Sequence, residues 1–402
     1  MEGCPHRQFY LYNAHEPVGI HLYKSGFPYL INLEGILSKI IAIGTAVPSF
    51  RHRQQDILQF MQLIYSYTEA DKRRLRFLYH QSAIDTRYSV IPDYSRPSPE
   101  WKFYPHTENL EPFPSLEQRM IWYNKYAPQL SVNAIRDCLD GKISEADITH
   151  LITVSCTGMS APGLDLQVME VLDLPRHTAR TSINFMGCYA AIHALKAADA
   201  ICKSDKQAKV LIVCTELCTL HFQREPSIDN IASSLLFADG SAAAVITGND
   251  HPAKGLRLDG FYSEVIPKGK KDMAWELSST GFLMTLSSYI PDLLEEDFSQ
   301  FTNRALANSG LSPQNVTQWC IHPGGKKILE AIHKTLSLHN GELQASYDIL
   351  QQYGNMSSPT ILFVLKKMMP TLLHNHNGKE HIFGAAFGPG LTMETFTASA
   401  NS

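Results

Sequence analysis

Three side chains of this 402-residue sequence stand within two residues of a glycine in contexts typical of thiol chemistry. Cys188 follows Gly187 and precedes the alanine-rich stretch YAAIHALKAADAI, where the start of a helix would favour a thiolate. His322 stands in WCIHPGGKKIL, and Asn355 follows Gly354 in QQYGNMSSPT. An isolated cysteine is more often structural than catalytic. A histidine and an amide in such contexts make a nucleophile with an acid–base partner the favoured interpretation.

The elements that must position these side chains alternate between strand-like and helix-like stretches, which predicts an α/β fold class with a largely buried sheet. Three runs rich in β-branched residues, ITHLITVSCTG, ARTSINFMGC and AKVLIVCTEL, predict central strands. LDLQVMEVLDL and AAIHALKAADAICKS have helical periodicity. The polar segment HPAKGLRLDGFYSEVIPKGKKD predicts a seam between two halves of the chain.

Composition limits the classes of protein that remain. Hydrophobic residues make up 44% and charged residues 18%, as in a packed globule, and a net charge of -4 without a basic stripe argues against a nucleic-acid partner. No apolar run is long enough for a signal peptide or a membrane span, so we expect a cytoplasmic protein without membrane insertion. The eight cysteines should then be reduced, and most should pack as small hydrophobic residues.

Four motifs occur in order: GC at 187–188, HPGG at 322–325, GNMSS at 354–358 and FGPG at 387–390. Together they closely resemble the type III polyketide synthases, the chalcone synthase-like members of the thiolase superfamily. The similarity runs from about residue 40 to residue 395. It implies a thiolase-like five-layered αβαβα sandwich of two related halves, assembled as a homodimer. We therefore divide the chain into an N-terminal extension (1–37), a half that carries the nucleophile (38–250) and a half that carries the histidine and asparagine (251–402).

The resemblance implies that Cys188 accepts the starter from an acyl-CoA, and that His322 and Asn355 stabilise the negative charge left when malonyl-CoA loses carbon dioxide. Coenzyme A thioesters are then the substrates, and no metal, flavin or nicotinamide is required. Phe237 resembles a gating phenylalanine that keeps water from the malonyl carboxylate. At the second gating position this sequence has Met284, which departs from the plant pattern.

Basic residues of the sequence are expected to contact the phosphates of coenzyme A. Arg74 and Arg76 in DKRRLRFLYH lie near the family's basic positions, and Lys327 follows the HPGG turn. The alternative for each is a solvated helix face.

The predicted cavity residues depart from the plant pattern in opposite directions. Cys156, Thr157 and Ala161 in CTGMSAPG resemble bacterial members that accept long acyl starters, whereas His221 and Trp275 replace smaller residues and should narrow the cavity. We therefore expect an aliphatic acyl-CoA starter, two or three malonyl extensions, and an alkylpyrone or alkylresorcinol as product.

Ring closure and three alternative functions stay open at this point. Glu216, Cys156 and Ser357 lie near positions that steer lactone against aldol closure in the family, and Cys156 replaces the plant threonine. The initiating 3-ketoacyl synthases of fatty acid synthesis also use Cys, His and Asn, but their motifs differ from HPGG and GNMSS. A thiolase-fold protein that binds acyl-CoA without catalysis is disfavoured by the intact trio. The catalytic segments of cysteine hydrolases do not match these motifs.

Overall fold

The computed structural model describes residues 37–400 except 66–67, 108, 288 and 375–379. All but the last residue of the predicted N-terminal extension lies outside the described residues. In the described part of the chain the strands are β1 (Ser38–Ala46), β2 (Phe50–Arg53), β3 (Thr86–Ser89), β4 (His150–Ser155), β5 (Ala179–Asn184), β6 (Lys209–Leu217), β7 (Asp239–Gly248), β8 (Leu256–Val265), β9 (Met273–Ser278), β10 (Gly281–Leu286), β11 (Gln318–Ile321), β12 (Glu380–Gly388) and β13 (Thr392–Ala400). The helices are α1 (Gln54–Tyr65), α2 (Glu69–His80), α3 (Leu116–Leu139), α4 (Leu164–Leu172), α5 (Ala190–Ser204), α6 (Ile228–Leu236), α7 (Ile290–Asn308), α8 (Lys326–Thr335), α9 (Gln344–Tyr353) and α10 (Thr360–His374).

Side-chain caps begin two of the helices near the site. Thr68 and Asp71 form a capping box at the start of α2, and the Ser115 hydroxyl accepts the backbone N–H of Gln118 at the start of α3. Each cap satisfies a backbone donor that the first turn of a helix leaves unpaired. Within the described residues no helix combines the length and the apolar character that crossing a membrane would demand.

The main sheet has nine strands in the order β11-β12-β13-β8-β1-β7-β6-β4-β5. Strand β1 pairs with β7 along its whole length, but it pairs with β8 only through Ser38, Lys39 and Ile40. The sheet therefore consists of a five-stranded and a four-stranded block that meet over three residues. Strands β9 and β10 form a separate two-stranded sheet.

The helices form three layers around these two blocks. Helices α5 and α10 contact strands of both blocks, and α5 is lined by the fully buried Ala190, Ala191, Ala194 and Ala198, whose small side chains allow close approach. Helix α3 packs on the outer face of the five-stranded block, and α7 packs against β8 on the other side. The layers alternate helix, sheet, helix, sheet, helix, so the predicted five-layered αβαβα sandwich is confirmed.

One expectation about strands was wrong. The segment ARTSINFMGC was predicted to form a central strand, but β5 lies at the edge of the sheet with most of its residues exposed. The segment predicted as a seam between two halves contains β8, which pairs with β13 along its length and with β1 over three residues only. Strand order is set by long-range pairing, which the local pattern of β-branched residues does not encode. The division of the chain at 250/251 stays a prediction.

Candidate active site

The predicted site residues follow the carboxyl ends of strands in both blocks of the sheet. Strand β4 pairs in parallel with both β5 and β6, and Cys156, Cys188 and Cys218 follow the carboxyl ends of these three strands. His322 follows the carboxyl end of β11. Ligand sites of α/β sheets lie at this end of the strands. Here a cavity of about 470 Å³ is lined by Cys188, His322 and Asn355 together.

Cys188 lies on a strained turn between β5 and α5. Phe185 has a φ of 58° and Gly187 a φ of 81°. A Cβ atom on residue 187 would lie 2.3 Å from Cδ of Pro389, so backbone conformation and space both require glycine. The N-cap of α5 is Tyr189. Cys188 therefore lies outside the first helical turn.

We expect Gly187→Ala to lower the free energy of unfolding by about 2–4 kcal/mol, because it adds an atomic overlap with Pro389 to a left-handed backbone. Urea unfolding measures the loss. Gly310→Ala is the matched control, since Gly310 has a φ of 68° but nothing within 4 Å of the added Cβ. An equal loss in both variants would show that the contact with Pro389 contributes nothing.

The protonation state of Cys188 differs from the sequence-based expectation. Burial raises the pKa of the Cys188 thiol to about 11, and hydrogen bonds with Ser357 and Asn355 oppose this only in part. In the free enzyme, burial therefore works against the predicted thiolate. The partial charge of a helix terminus acts within the first turn, whereas desolvation acts on the whole thiol.

His322 is a buried imidazole without a hydrogen-bond partner at either ring nitrogen among the described residues. Its backbone N–H donates to the carbonyl of Ala385 at 2.9 Å, which fixes the residue beside β12. Burial lowers the pKa of the His322 imidazole to about 3. Burial therefore favours the neutral form of both the imidazole and the thiol in this cavity.

Asn355 is held by backbone pairing with the end of α6. Its N–H donates to Leu236 O, and its carbonyl accepts from Ala238 N, each at 2.9 Å. The side-chain Oδ1 accepts the N–H of Ser357 at 2.8 Å, and Nδ2 donates to the carbonyl of Gly324 at 3.4 Å, which leaves the second N–H of Nδ2 as a donor at the cavity. The same pairing places Phe237 on the cavity wall.

A buried carboxylate stands behind the cavity wall. Glu216 Oε2 accepts from Cys156 N at 2.9 Å and from Thr157 Oγ1 at 2.8 Å, and Oε1 accepts from the Ser358 hydroxyl at 2.7 Å. Burial raises the pKa of Glu216 to about 7 in spite of these bonds. Sequence reasoning singled out the neighbouring Ser357, which lines the cavity, and missed Ser358.

We expect Glu216→Gln to change the pH dependence of stability. Between pH 4.5 and about 7 the folded protein keeps a proton on Glu216 that the unfolded chain has lost, so the free energy of unfolding falls as pH rises through this window. Glutamine does not titrate, so the variant lacks this fall. Its free energy of unfolding relative to that of the parent should therefore rise by up to about 3 kcal/mol between low pH and pH values above 7. Urea unfolding at several pH values checks this. The control Glu117→Gln, at an exposed position, should leave the pH profile of stability unchanged. An unchanged profile in Glu216→Gln as well would show that the Glu216 carboxylate is solvated.

The structure brings most of the other predicted residues to the same cavity, and it separates four of them. The lining includes Cys156, Thr157, Phe237, Trp275, Met284, Ser357, Arg74 and Lys327. Glu216 lies behind the wall, and His221 borders a smaller space that shares Phe237, Trp275 and Met284 with the cavity. Ala161 and Arg76 are exposed and do not line it.

One further cysteine of the cavity wall, Cys218, was not identified from the sequence. Cys218 lines the cavity, and its place directly after the strand-like AKVLIVCTEL could have indicated this. Among the described residues no three His, Cys, Asp or Glu side chains cluster as metal ligands.

Comparison with protein families gives two matches that follow each other along the chain. The model of the chalcone and stilbene synthase N-terminal domain matches residues 33–251, and that of the C-terminal domain matches residues 258–400. A putative chalcone synthase of Bacillus subtilis is 30% identical over 368 residues, which is 88% of this chain and 96% of that protein. Type III polyketide synthase C of Arabidopsis thaliana is 30% identical over 89% of this chain and 94% of its own. The chain also matches 11% of the length of probable polyketide synthase 1 of Dictyostelium discoideum, at 29% identity.

Solved structures agree with these matches. PKS-I from the brown alga Ectocarpus siliculosus superposes with a TM-score of 0.83 at 26% identity, covering 91% of this chain and 99% of that one. The C-terminal type III polyketide synthase domain of Steely1, a type I/III hybrid from Dictyostelium, gives a TM-score of 0.82 at 27% identity over 91% of this chain and 100% of that domain. This chain therefore belongs to the chalcone and stilbene synthase family of type III polyketide synthases, which are acyltransferase-type enzymes.

Proposed function

We propose that this enzyme condenses an acyl-CoA starter with malonyl-CoA by decarboxylative Claisen condensation and then closes the polyketide to a ring. Cys188 is the nucleophile, and His322 and Asn355 are its partners. The observation that supports this is one cavity lined by the thiol, by an imidazole with two free nitrogens and by an oriented amide donor.

The neutral resting pair explains how the starter is loaded. A thiol with a pKa near 11 is protonated at neutral pH, and the neutral His322 imidazole can accept its proton as the sulfur attacks the thioester carbon. The bond from that carbon to the coenzyme A sulfur then breaks, and the leaving thiolate takes the proton back from His322. The acyl group stays on Cys188 as a thioester, and no metal or redox cofactor takes part.

In the condensation step, His322 and Asn355 act as hydrogen-bond donors to the negative charge that forms on malonyl-CoA. When malonyl-CoA loses carbon dioxide, the electron pair of the broken C–C bond moves onto the thioester as an enolate, and a ring N–H of His322 and the Nδ2 group of Asn355 stabilise its oxygen. The enolate carbon attacks the acyl carbon on Cys188, whose sulfur leaves, and the lengthened chain is now on coenzyme A. The apolar Phe237 on the wall limits water beside the malonyl carboxylate.

The mouth of the cavity offers cations for the coenzyme A phosphates. Arg74 on α2 and Lys327 in the first turn of α8 both line the cavity. A guanidinium and an ammonium at a helix N-terminus suit phosphate oxygens. Arg76 has no place in this proposal, because its exposed side chain does not line the cavity.

The proposed product rests on the apolar lining of the cavity and on the space that is left for the growing chain. The lining is largely apolar, with aliphatic residues contributed mainly by α6, which suits an aliphatic starter. Trp275 occupies part of the space into which the chain would grow. Two or three malonyl extensions and an alkylpyrone or alkylresorcinol product are therefore proposed.

A homodimer completes the proposal. Among the described strands none pairs with the outer edge of β5, and an open edge favours a second chain. Met159 and, on the neighbouring α4, Val171 are exposed apolar side chains on the same flank. Ala161 lies on the exposed loop after Met159, so it could reach a cavity only across such an interface.

We expect light scattering of the purified protein to give twice the chain mass of 45.0 kDa. Met159→Asp combined with Val171→Asp should give the monomer mass, since two charges would be desolvated in the interface. Val265→Asp, at a more exposed apolar position on β8, should stay dimeric. A monomeric parent protein would contradict the interface.

The function is tested by incubating the enzyme with malonyl-CoA and a panel of acyl-CoA starters, with mass spectrometry of the products. Aliphatic starters should yield triketide or tetraketide pyrones or resorcinols. Turnover of aromatic starters alone, or of malonyl-CoA alone, would contradict the proposed product. No condensation with any starter, but activity with malonyl-carrier protein, would instead favour an initiating 3-ketoacyl synthase.

A further inference from the structure

The β9–β10 sheet forms a wall of the cavity without belonging to the main sheet. Trp275 on β9 pairs with Met284 on β10, and both line the cavity. The turn is attached to the rest of the fold by Leu116 N to Ser279 O at 3.0 Å and by Gln223 Nε2 to Thr280 O at 3.1 Å. At the open end, Ser287 N donates to Asp272 O at 2.8 Å, which joins the two strands of the hairpin to each other. The hydrogen bonds from outside the hairpin thus hold its turn, so the position of its middle depends on other contacts.

His221 makes one of those contacts, through both ring nitrogens. Nε2 lies 2.7 Å from the carbonyl of Thr157, and Nδ1 lies 3.1 Å from the backbone N of Phe282. Because Nδ1 must accept from an N–H, the imidazole is neutral with its proton on Nε2. Its ring stacks on that of Phe282 with centroids 4.2 Å apart and planes 7° apart. One buried imidazole therefore joins β10 to the loop after β4.

Trp275 makes the second contact, to the adjacent residue of the same loop. Its indole N–H donates to the carbonyl of Cys156 at 2.8 Å, and its ring meets those of His221 and Phe282 edge-on at 5.8 and 6.0 Å. The loop in turn reaches the nucleophile, since Cys156 Sγ accepts the N–H of Gly187 at 3.1 Å. The hairpin is thus tied, through two consecutive residues, to the turn that carries Cys188.

We propose that His221 and Trp275 form a hydrogen-bonded clamp that holds the β9–β10 hairpin at a set distance from Cys188 and thereby limits the number of malonyl extensions. The inference rests on the proposed function. A wall that only occupies space can shift when a growing chain presses on it, whereas a clamped wall stops growth at one length. His221 is a positioning residue here, because it acts through Phe282 and Trp275.

Trp275→Phe separates the effect of the hydrogen bond to Cys156 from the effect of side-chain volume, because it keeps an aromatic ring and removes the indole N–H. We expect the ratio of longer to parental products to rise about three- to tenfold, as the loss of one buried hydrogen bond predicts. Trp275→Ala is the comparison that removes bulk as well. His221→Gln keeps a donor for Thr157 but loses the stack on Phe282, so it should give an intermediate shift.

Amide hydrogen exchange of residues 273–286 gives a readout that needs no turnover. Trp275→Phe should raise exchange in the hairpin by a similar factor and leave the strands of the main sheet unchanged. Leu283→Ala, on the exposed side of β10, is the matched control and should change neither exchange nor product length.

Unchanged products and unchanged exchange in Trp275→Phe would overturn the clamp, even if Trp275→Ala lengthened the product, because bulk alone would then set the length. If the parent enzyme condensed no acyl-CoA, that result would contradict the proposed function rather than the clamp. The exchange measurement would still decide whether the two side chains hold the hairpin.

Discussion

Cys188→Ala is expected to abolish polyketide formation, with a loss of at least about 10³-fold, because no other group in the proposed mechanism can hold the starter. Intact-protein mass spectrometry after incubation with an acyl-CoA should show no adduct on the variant. The donors His322 and Asn355 remain in place, so slow decarboxylation of malonyl-CoA should persist. Loss of the acyl adduct without loss of all decarboxylation is the signature of a missing nucleophile.

Cys218→Ala is the matched control, since Cys218 is a second thiol on the same cavity. Burial and nearby charged groups hold the pKa of the Cys218 thiol well above its usual range, as for Cys188, so a high pKa does not distinguish them. The control should keep the acyl adduct and most of the activity. An adduct that moved to Cys218, or that disappeared only in the Cys218 variant, would refute the assignment of Cys188.

His322→Gln is expected to slow loading at pH 7 by about 10²–10⁴-fold, because glutamine can donate a hydrogen bond but cannot accept the thiol proton. Burial gives the thiol a pKa of about 11, so the variant must wait for the rare free thiolate. Its loading rate should rise about tenfold per pH unit below pH 11. The parent should show no such rise between pH 7 and 9, since its imidazole, with a pKa near 3, is already neutral there.

Asn355→Ala provides the contrast. The amide serves the enolate rather than the thiol, so this variant should load at close to the parental rate and decarboxylate about 10²–10³-fold more slowly. Stopped-flow release of coenzyme A measures loading, and release of labelled carbon dioxide measures decarboxylation.

The same loading measurement decides the role of His322. If His322→Gln loaded the starter at the parental rate at pH 7, the imidazole would be excluded as the base.

The identity of the candidate trio could be predicted because its signals are local. A thiol after Gly187, an imidazole before two glycines and an amide after Gly354 are written in runs of a few residues, and the four motifs place the chain in its family. The five-layered sandwich follows from that family. Alternating strand and helix patterns alone would have left other α/β arrangements open.

Electrostatics could not be predicted in the same way. Cys188 was expected to be a thiolate because its helix follows directly in the sequence, but its protonation depends on how much protein surrounds it. The same holds for Glu216, whose hydrogen-bond partners stand 60 and 142 residues away along the chain. Sequence distance gives no measure of desolvation.

The sequence by itself determined which side chains are present, which glycines flank the candidate trio, and which family the motifs match. Only the tertiary structure decided that β5 is the last strand of the main sheet, that Ala161 and Arg76 stay outside the cavity, and that His221 and Trp275 tie the β9–β10 hairpin to the loop Cys156–Thr157. The physical reason is common to all of these. Strand order, burial and hydrogen bonds between distant segments arise from the packing of the whole chain, whereas a motif records only what its own few residues require.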